Sequence, residues 1–461
     1  MFKKFICSFI AVSFIFTGGV SFAKERNPDR KNSEKIVADI EFSPLLFLAS
    51  PDSKRIAYIA EKEGKRFVVV DGKKGKDYDA IANALVFSPD SKRVAYGAQK
   101  DNKFFVVADG IDGEKYDSIG PTLVFSPDSQ RLFYSARAGG KGFTVIDGTE
   151  GKKYDGIGTS LVFSPDSKRT AYGVKSENNY FIVVDGEEGK KYDSIGSTLV
   201  FSPDSKHVAY WAQSGNKRFL VVDGKEGKNY DAIGAVIVFS PDSKRIAFIA
   251  QKGSKRFLVV DGQEGKYYDA IGNTVVFSPD SKRIMFAAES EKKRFAVIDG
   301  KEGEYRDGIG STLVFSPNSK RLAYVAQTGK EYFVVSDGKE GKKFDAIGNG
   351  SIIFSPDSNH MAYGAQSENK RFVVKDGKEE KQFDDIGNRS LVFSPDSKYL
   401  AYVAQSDNKQ FVVVGEKAEK FYDNIMILTM GRIVFDSSDR LHYLAVRDKS
   451  IYLVDINIGG N

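Results

Sequence analysis

One nonapeptide, LVFSPDSKR at residues 85–93, returns nearly unchanged along the whole chain. Its prolines stand at positions 51, 89, 127, 165, 203, 241, 279, 317, 356 and 395, so the period is 38 residues and becomes 39 in the last two intervals. An eleventh unit lacks the proline and survives as FDSSD at 435–439. A fixed period of this size indicates a stacked or ring-shaped array in which each unit is one supersecondary element.

The second unit shows which element repeats. Residues 85–87 form a short apolar run closed by proline, aspartate and serine, which favours a strand followed by a tight turn. Residues 93–99 alternate with a period of two, and 104–108 are apolar on both faces before the hairpin signal Asp-Gly at 109–110. A fourth, shorter strand follows at 116–120, and the period has no room for a helix.

Four antiparallel strands in every unit predict an all-β fold, a β-propeller of about eleven four-stranded blades with a 38-residue period. Each small sheet of such a ring buries both of its faces against its neighbours. Typical propellers have about four to eight blades, so one large ring and two tandem rings both satisfy the count. The unbroken period offers no linker between two rings, which favours one.

The two ends of the repeat region complement each other. Only three strands are predicted between residues 431 and 455, whereas 35–41 (KIVADIE) is an additional strand before the first full unit. We expect this N-terminal strand to complete the last blade, because such closure removes an exposed sheet edge. The propeller domain is therefore predicted over 35–461, after a short segment at 24–34.

The N-terminus has the layout of a secretory signal peptide. Lys3 and Lys4 precede an apolar run over 5–20, and small residues at Ser21 and Ala23 mark a cleavage point, so residues 1–23 are predicted to be removed. The apolar run is shorter than the roughly 20 residues of a spanning helix, and no second hydrophobic segment follows. We expect a periplasmic or secreted protein with no membrane span after cleavage.

Cysteine content and charge exclude further classes. Cys7, the only cysteine, lies in the predicted signal peptide, so the exported chain is expected to have no disulfide and no cysteine metal site. Removing residues 1–23 leaves 66 basic residues (68 − 2) against 62 acidic ones, a formal net charge of +4. Strong phosphate binding needs clustered, uncompensated cations, so we expect no nucleic-acid partner.

The heptapeptide Phe-Ser-Pro-Asp-Ser-Lys-Arg, followed by an alternating strand, resembles the WD-like propeller repeats of TolB-type periplasmic proteins and of the non-catalytic propeller of dipeptidyl-peptidase-like enzymes. The resemblance covers about residues 35–455 and implies the propeller fold, but propellers host many unrelated activities. Two departures matter: serine (Ser91, Ser129) stands where the family turn usually has glycine, and the helical domain of TolB-type proteins and the peptidase hydrolase domain have no counterpart. Neither function is carried over.

No motif supports a common catalytic centre. His207 and His360 take the position after the turn that is arginine in most units, where an exposed loop explains them, and no catalytic residue is predicted among them and His442. Nucleophile-elbow, phosphate-loop and zinc-protease motifs are absent. The repeated Asp-Gly-x-x-Gly, as at 223–227, contains oxygen ligands for calcium, but a glycine-rich hairpin with a locally bonded aspartate explains it better. We predict no metal site and no cofactor.

Repetition separates structural residues from functional ones. Tyr-Asp-x-Ile recurs ten times, with Arg306, Phe344 and Phe383 as the only replacements of the tyrosine, which indicates a structural duty in every blade. Lysine pairs, as at 152–153 and 342–343, offer positions that could meet an acidic polymer. Acidic residues are interleaved with them throughout, which favours a solvated surface of mixed charge.

Binding residues are expected where the units differ. The start of the innermost strand varies strongly, and it would rim one mouth of the central channel. The candidates at this mouth are Pro121, Thr122, Asn349, Asn388 and Arg389. Trp211, the only tryptophan, stands where other units have smaller residues and is either a packing filler or a recognition aromatic.

These observations favour an exported, non-enzymatic propeller that serves as a protein-binding or scaffolding module in the bacterial envelope, with an envelope or extracellular protein as partner. Two alternatives remain open. One is a hydrolase or lyase that acts on a polysaccharide through scattered aspartate, tyrosine and arginine residues. The other is a lectin-like ring that binds a glycan at several equivalent blades.

Overall fold

The chain forms a closed ring of small antiparallel sheets. The computed structural model describes residues 32–82, 84–348, 350–427 and 431–459. Within these ranges strands are the only regular elements, and they form eleven sheets of four or five strands arranged as a single β-propeller ring. The predicted all-β propeller is thereby confirmed, and its blades form one ring. No helix of the described residues is long and apolar enough to cross a membrane.

The strands are numbered in chain order, and the first, β1, spans Asn32–Asp39. Blade 1 contains β2 (Pro44–Ala49), β3 (Ile56–Lys62), β4 (Lys65–Val70) and β5 (Lys73–Lys74). Blade 2 contains β6 (Ala80–Ile81), β7 (Val86–Phe87), β8 (Val94–Lys100), β9 (Lys103–Ala108) and β10 (Ile111–Asp112). Blade 3 contains β11 (Ser118–Phe125), β12 (Leu132–Ala138), β13 (Lys141–Ile146) and β14 (Thr149–Glu150). Blade 4 contains β15 (Gly156–Phe163), β16 (Thr170–Ser176), β17 (Asn179–Val184) and β18 (Glu187–Glu188).

Blade 5 contains β19 (Ser194–Phe201), β20 (Val208–Ser214), β21 (Lys217–Val222) and β22 (Lys225–Glu226). Blade 6 contains β23 (Ala232–Phe239), β24 (Ile246–Lys252), β25 (Lys255–Val260) and β26 (Gln263–Glu264). Blade 7 contains β27 (Ala270–Phe277), β28 (Ile284–Ser290), β29 (Lys293–Ile298) and β30 (Lys301–Glu302). Blade 8 contains β31 (Gly308–Phe315), β32 (Leu322–Thr328), β33 (Glu331–Ser336) and β34 (Lys339–Glu340).

Blade 9 contains β35 (Ala346–Ile347), β36 (Ile353–Phe354), β37 (Met361–Ser367), β38 (Lys370–Lys375) and β39 (Lys378–Glu379). Blade 10 contains β40 (Asp385–Ile386), β41 (Val392–Phe393), β42 (Leu400–Ser406), β43 (Lys409–Val414) and β44 (Lys417–Ala418). Blade 11 contains β45 (Asn424–Ile425), β46 (Val434–Phe435), β47 (Arg440–Arg447) and β48 (Ser450–Asn457), together with β1.

Every blade follows one design, with an inner strand, a second strand, a third strand and a short outer strand; in blade 3 these are β11, β12, β13 and β14. Inner strands of neighbouring blades touch each other, as β11 touches β15 and β15 touches β19, so they lie nearest to the ring axis. The inner strand is split in two in blades 2, 9, 10 and 11.

The third strand is apolar on both sides because each side packs on a different neighbour. In blade 2, Val107 packs in a cluster with Ala57 of blade 1, whereas the adjacent Val106 packs in a cluster with Leu123 of blade 3. All four residues are at most 6% exposed. Burial of both faces is the main source of blade stability, since each buried apolar side chain contributes about 1.5–3 kcal/mol.

The second serine of the repeated turn joins neighbouring blades. Ser129 has φ +66°, in the left-handed region that favours glycine, and its buried hydroxyl accepts a hydrogen bond from the backbone N–H of Asp90 in the preceding blade at 2.9 Å. The same bond recurs at 2.9–3.0 Å from blade 1 to blade 10. Glycine would adopt this backbone more easily but has no hydroxyl, so the serine combines local strain with a contact between blades.

The arginine that follows the turn also reaches the next blade. Arg93 donates from Nε to Asp109 at 2.9 Å, and its guanidinium lies 5.1 Å from the ring centre of Phe125 in blade 3. In blade 5, His207 takes the same place: its ring stacks on Phe239 of blade 6 and its Nδ1 lies 2.6 Å from Asp223. His360 of blade 9 repeats this arrangement with Asp376 and Phe393.

The N-terminal strand completes blade 11. β1, expected over 35–41, pairs antiparallel with β48 as the outer strand of this sheet. Blade 11 then packs against blade 1, with Leu444 and Ile451 in one apolar cluster with Tyr58 and Phe67. The chain is thus closed by its own first strand.

A buried histidine lies at this seam between blades 11 and 1. His442 is 1% exposed and stands where most units have alanine. Its Nδ1 lies 2.6 Å from the Asp436 carboxylate, and its Nε2 lies 2.7 Å from the carbonyl oxygen of Asp52 in blade 1. A carbonyl and an ionised carboxylate only accept, so both bonds require His442 to carry both ring protons. Burial raises the pKa of Asp436, but hydrogen bonds from His442 and Lys54 outweigh this and hold it below its usual range.

Ser129 offers a direct test of the bond between blades. Ser129→Ala removes the acceptor but keeps the strained backbone, so we expect a loss of about 1–3 kcal/mol. Ser129→Gly removes the same acceptor but relieves about 1–2 kcal/mol of left-handed strain, so its stability should lie between those of alanine and wild type. Urea unfolding followed by circular dichroism measures the order. The exposed neighbour change Gln130→Ala is the control, and an alanine variant as stable as glycine would contradict the argument.

The seam should weaken at low pH. Asp436 is hydrogen-bonded to His442 and accepts from Lys54, and these bonds hold its pKa below the usual range. Its contribution to stability is therefore present above the ordinary pKa of an aspartate and is lost as the pH falls through the lowered value. We expect amide hydrogen exchange, corrected for intrinsic rates, to show β48 losing protection as the pH falls from about 7 to about 3.

The matched control is the variant Asp436→Asn, which has no carboxylate to protonate at the seam. Its protection of β48 should be weak at both ends of this pH range and should change less with pH than that of the wild type. An equal loss of β48 protection in variant and wild type would show that the Asp436 carboxylate does not set the pH response.

Candidate functional site

The starts of the inner strands surround one end of the channel. In blades 3 to 8 the pairing between inner and second strand is interrupted by a bulge, which in blade 3 lies between Ile119 and Leu123. We name these segments the channel mouth. Its described residues are 120–122, 158–160, 196–198, 234–236, 272–274, 310–312, 348, 350–351 and 387–390.

Hydrogen bonds connect neighbouring segments of the channel mouth. The Thr198 hydroxyl donates to the carbonyl of Ala235 in the next blade at 2.8 Å, and the Ser160 hydroxyl donates to the carbonyl of Ser197. Between blades 8 and 9, the backbone N–H of Gly350 donates to the Thr312 hydroxyl at 2.8 Å. The mouth is therefore a bonded rim with defined positions.

Four of the residues predicted for this mouth lie on it. Pro121 is exposed and Thr122 is half-buried in blade 3, and Asn388 and Arg389 are exposed in blade 10. Asn349 lies outside the described residues. The structure thus places two groups of predicted residues on the same rim, in blades that are not adjacent.

Trp211 lies on the second strand of blade 5. Its half-buried indole packs directly against Gly196, where a built Cβ would come within 2.3 Å of the indole nitrogen. The Arg218 guanidinium lies 5.5 Å from the ring centre on the third strand of the same blade. Trp211 therefore occupies the space above a glycine at the start of the inner strand, between the core and the mouth.

The inserted residue of the two longer units lies in the channel mouth. In blade 10, Ser390 donates its hydroxyl to the carbonyl of Gly387 at 2.7 Å and accepts from the N–H of Val403 at 3.0 Å. In blade 9, Ser351 makes the equivalent bonds to Gly348 and Gly364. Both loops are thus fixed by a buried serine, and each projects the residue just before it.

Arg389 is that projecting residue in blade 10. Its φ is +57°, in the left-handed region, and the equivalent Gly350 of blade 9 has φ +70°. A Cβ built on Gly350 would lie 3.2 Å from Arg389 Nε, so the arginine lies across the bare backbone of its neighbour. No carboxylate pairs with Arg389 among the residues that the structure describes. The mouth therefore presents a strained, exposed cation, and such strain is concentrated at functional sites in proteins.

Sequence reasoning missed a cleft of about 150 Å³ between blades 3 and 4. Gly142 lies in its wall, at a position that has arginine, phenylalanine, tyrosine or glutamine in the other units up to blade 10 and isoleucine in blade 11. Arg137, which pairs with Gly142 across the strands, stands where the other units up to blade 10 have glutamine, glutamate or lysine and blade 11 has valine. The lining is Ser118, Ile119, Gly120, Pro121, Thr122, Ser135, Ala136, Arg137, Gly142, Ile157, Gly158, Thr159 and Leu161. Comparing the units column by column at these two positions would have revealed it.

The aspartate of Asp-Gly-x-x-Gly already has hydrogen-bond partners within its own blade, as Asp223 shows. Asp223 accepts from the backbone N–H of Val208 at 2.9 Å through one oxygen and contacts His207 through the other. Its φ is +51°, and Gly224 follows at φ +75°, as in a tight hairpin turn. The described residues contain no group of three or more histidine, cysteine, aspartate or glutamate side chains that could hold a metal ion.

The Tyr-Asp-x-Ile element bridges blades. Asp79 accepts from Lys65 of blade 1 at 2.6 Å and from the backbone N–H of Asp101 at the hairpin tip of blade 2 at 2.9 Å. The bond from Lys65 is the largest cause of the lowered pKa of Asp79. Tyr78 donates its hydroxyl to Asp112 of blade 2 at 2.8 Å. In this unit both polar groups of the element thus serve contacts between neighbouring blades, whereas the buried hydroxyls of Tyr116 and Tyr192 have no hydrogen-bond partner among the described residues.

Glu380 is a carboxyl group with a raised pKa. It stands where most units have the second glycine of Asp-Gly-x-x-Gly, and burial raises its pKa although the Tyr402 hydroxyl, 2.9 Å away, lowers it. The nearby Glu416 also raises the pKa. These carboxyl groups lie at outer hairpins, and the channel mouth contains none of them.

The chain resembles known proteins only weakly. The family model of the Calx-beta domain matches residues 66–95, which is less than one blade length. No curated protein matches the chain. Among solved structures, the chain is similar to a eukaryotic initiation factor (12% identity, 72% of this chain and 98% of that chain, TM-score 0.40). It is also similar to the Dos1 propeller (14%, 66% and 94%, TM-score 0.32) and to the β-propeller domain of the Trilobed protease from Pyrococcus furiosus (15%, 57% and 94%, TM-score 0.29).

At TM-scores below 0.5 these likenesses bear on neither ligand nor activity. The propeller is established by its own strand pairing.

Substitutions of Arg389 show whether its left-handed backbone lowers the free energy of unfolding. Arg389→Gly should raise the free energy of unfolding by about 1 kcal/mol, because glycine takes the left-handed backbone without strain, as Gly350 does. Arg389→Val should lower it, because a β-branched residue fits this region worst. Thermal unfolding measures both. A glycine variant less stable than wild type would show that packing of the arginine across Gly350 outweighs the backbone strain.

Proposed function

We propose that the protein is an exported, non-enzymatic ring that binds a protein partner in the bacterial envelope through its channel mouth. The observation that carries this proposal is that recurring and variable polar residues occupy different places in the ring. Those that recur in most units, such as Ser129, Arg93 and Asp79, are used in contacts within and between blades. Those that differ between units, such as Asn388 and Arg389, lie on the mouth.

Export rests on the sequence of residues 1–23, with its two lysines, apolar run and small residues before the cleavage point. The resemblance of the repeat to TolB-type periplasmic proteins agrees with this assignment. A location in the periplasm or outside the cell follows from it.

The absence of catalysis is proposed from how the reactive side chains are used. His207 and His360 are each paired with an aspartate and stacked on a phenylalanine, and His442 is enclosed in the seam. Among the residues that the structure describes, no carboxylate pairs with Arg389, the exposed cation of the mouth, as an acid or base partner. Binding requires no such pair.

A glycan-binding function is the second candidate. Tyr267 of blade 6 lies against Phe257 with the two rings tilted by 32°, and Tyr305 of blade 7 meets Phe295 edge to face. The two tyrosines remain 40% and 59% exposed, respectively. They follow the outer strands of adjacent blades, where most units have lysine, asparagine or glutamine. Exposed tyrosines at neighbouring, equivalent positions suit weak, repeated contacts with a polysaccharide, either to bind it or to hold it for cleavage.

Affinity capture distinguishes the two candidates. The tagged mature chain is incubated with envelope extract of its own bacterium, eluted in salt steps and analysed for proteins and glycans. We expect one stoichiometric protein partner with the wild type and at least a tenfold lower recovery with Arg389→Gly. The control Lys92→Gln, on the exposed turn at the other end of the inner strand, should leave recovery unchanged. Glycan without protein, lost in a Tyr267→Ala/Tyr305→Ala variant, would contradict the proposal.

A further inference from the structure

The cleft between blades 3 and 4 combines one cation with hydroxyl groups and an apolar wall. Arg137 is its only charged lining residue, and Ser135, Thr122 and Thr159 contribute hydroxyls. Ile157 belongs to the apolar part of the lining. We infer that this cleft binds a carboxylate side chain, aspartate or glutamate, of an extended segment of the partner protein.

The cleft exists because blade 3 departs from the repeat at two paired positions. In blade 5 the corresponding residues are Arg218 on the third strand and Gln213 on the second, joined by a hydrogen bond of 2.9 Å. In blade 3 the arginine stands on the second strand as Arg137, and Gly142 provides no side chain at the former place. A Cβ on Gly142 would lie 3.3 Å from the backbone nitrogen of Ile157, so the cleft corresponds to the outer part of an arginine side chain and not to its Cβ.

Arg137 is positioned to receive an acceptor. NH1 donates to the carbonyl of Asp155 at 3.1 Å and NH2 to the carbonyl of Gly140 at 2.6 Å, which fixes the guanidinium with further N–H groups unused. The Asp155 carboxylate is bonded to Lys141 at 2.6 Å. Arg137 therefore has no carboxylate partner within the described residues, and an incoming carboxylate would form charge-assisted bonds.

The size and place of the cleft suit one side chain of a larger molecule. Its volume of about 150 Å³ accommodates a single small group, and its lining includes Pro121 and Thr122 of the channel mouth. A segment lying along the mouth could therefore place one acidic side chain in it. This inference rests on the proposed function in that the occupant belongs to the protein partner.

Two variants of the full mature chain test the cleft. Gly142→Arg fills it with the residue found at this position in five other blades, and Ile157 must move by a few tenths of an ångström to admit the new Cβ. The double variant Gly142→Arg/Arg137→Gln rebuilds the pair of blade 5 and leaves the net charge unchanged. Fluorescence anisotropy with a dye-labelled hexaglutamate peptide, at about 150 mM salt to screen surface charges, measures the dissociation constant for each protein.

We expect both variants to bind hexaglutamate at least tenfold more weakly than the wild type. Gly142→Arg adds a positive charge, so binding that merely follows net charge would become tighter, and that result or unchanged affinity would overturn the site. Circular dichroism confirms that each variant retains its strands.

The peptide titration tests the cleft, and the capture experiment tests the protein partner, so a negative result in one does not decide the other. Capture of no protein would contradict the proposed partner and leave the peptide titration to decide the cleft. Unchanged hexaglutamate affinity in the double variant would overturn the cleft even where a partner is captured.

Discussion

The third strand of each blade has no polar face, and the remaining architecture depends on this constraint. Adjacent residues such as Val106 and Val107 pack on opposite neighbours, so every blade needs a partner on both sides. An open stack would expose an apolar face at each end, whereas a closed ring exposes none. The polar bonds of the turn serines, the arginines and the Tyr-Asp elements then align blades that hydrophobic burial has already brought together.

Local features of the fold were predictable because they depend on residues that are close together in the sequence. Side-chain alternation and turn chemistry identified the strands, and the fixed period identified the units. The features that could not be predicted join distant residues: the Ser129 hydroxyl meets a residue 39 positions away, and His442 meets the carbonyl of Asp52, 390 positions away. One ring rather than two depends on the small angle between successive blades, which no single unit encodes.

The candidate site was also predictable only in part. Variation between units led to Pro121, Thr122, Asn388 and Arg389, because residues freed from the common structural duty are free to differ. The left-handed backbone of Arg389 could not be foreseen, since it follows from a serine-fixed loop that only the folded chain contains. The cleft was missed for a simpler reason. Gly142 shows in the sequence only that a side chain is missing, and whether this leaves a cleft depends on residues of the neighbouring blade.

The pairing of β1 with β48 has a consequence for how the molecule is made. Asp39 and Ser450, which are joined by a hydrogen bond, stand 411 residues apart. The nascent chain therefore produces β1 first and must keep it unpaired until nearly the whole ring exists, and closure of so long a loop carries a large entropic cost. Until then both the strand and the edge of blade 11 can pair with other chains, so assembly is most vulnerable to aggregation just before its last step.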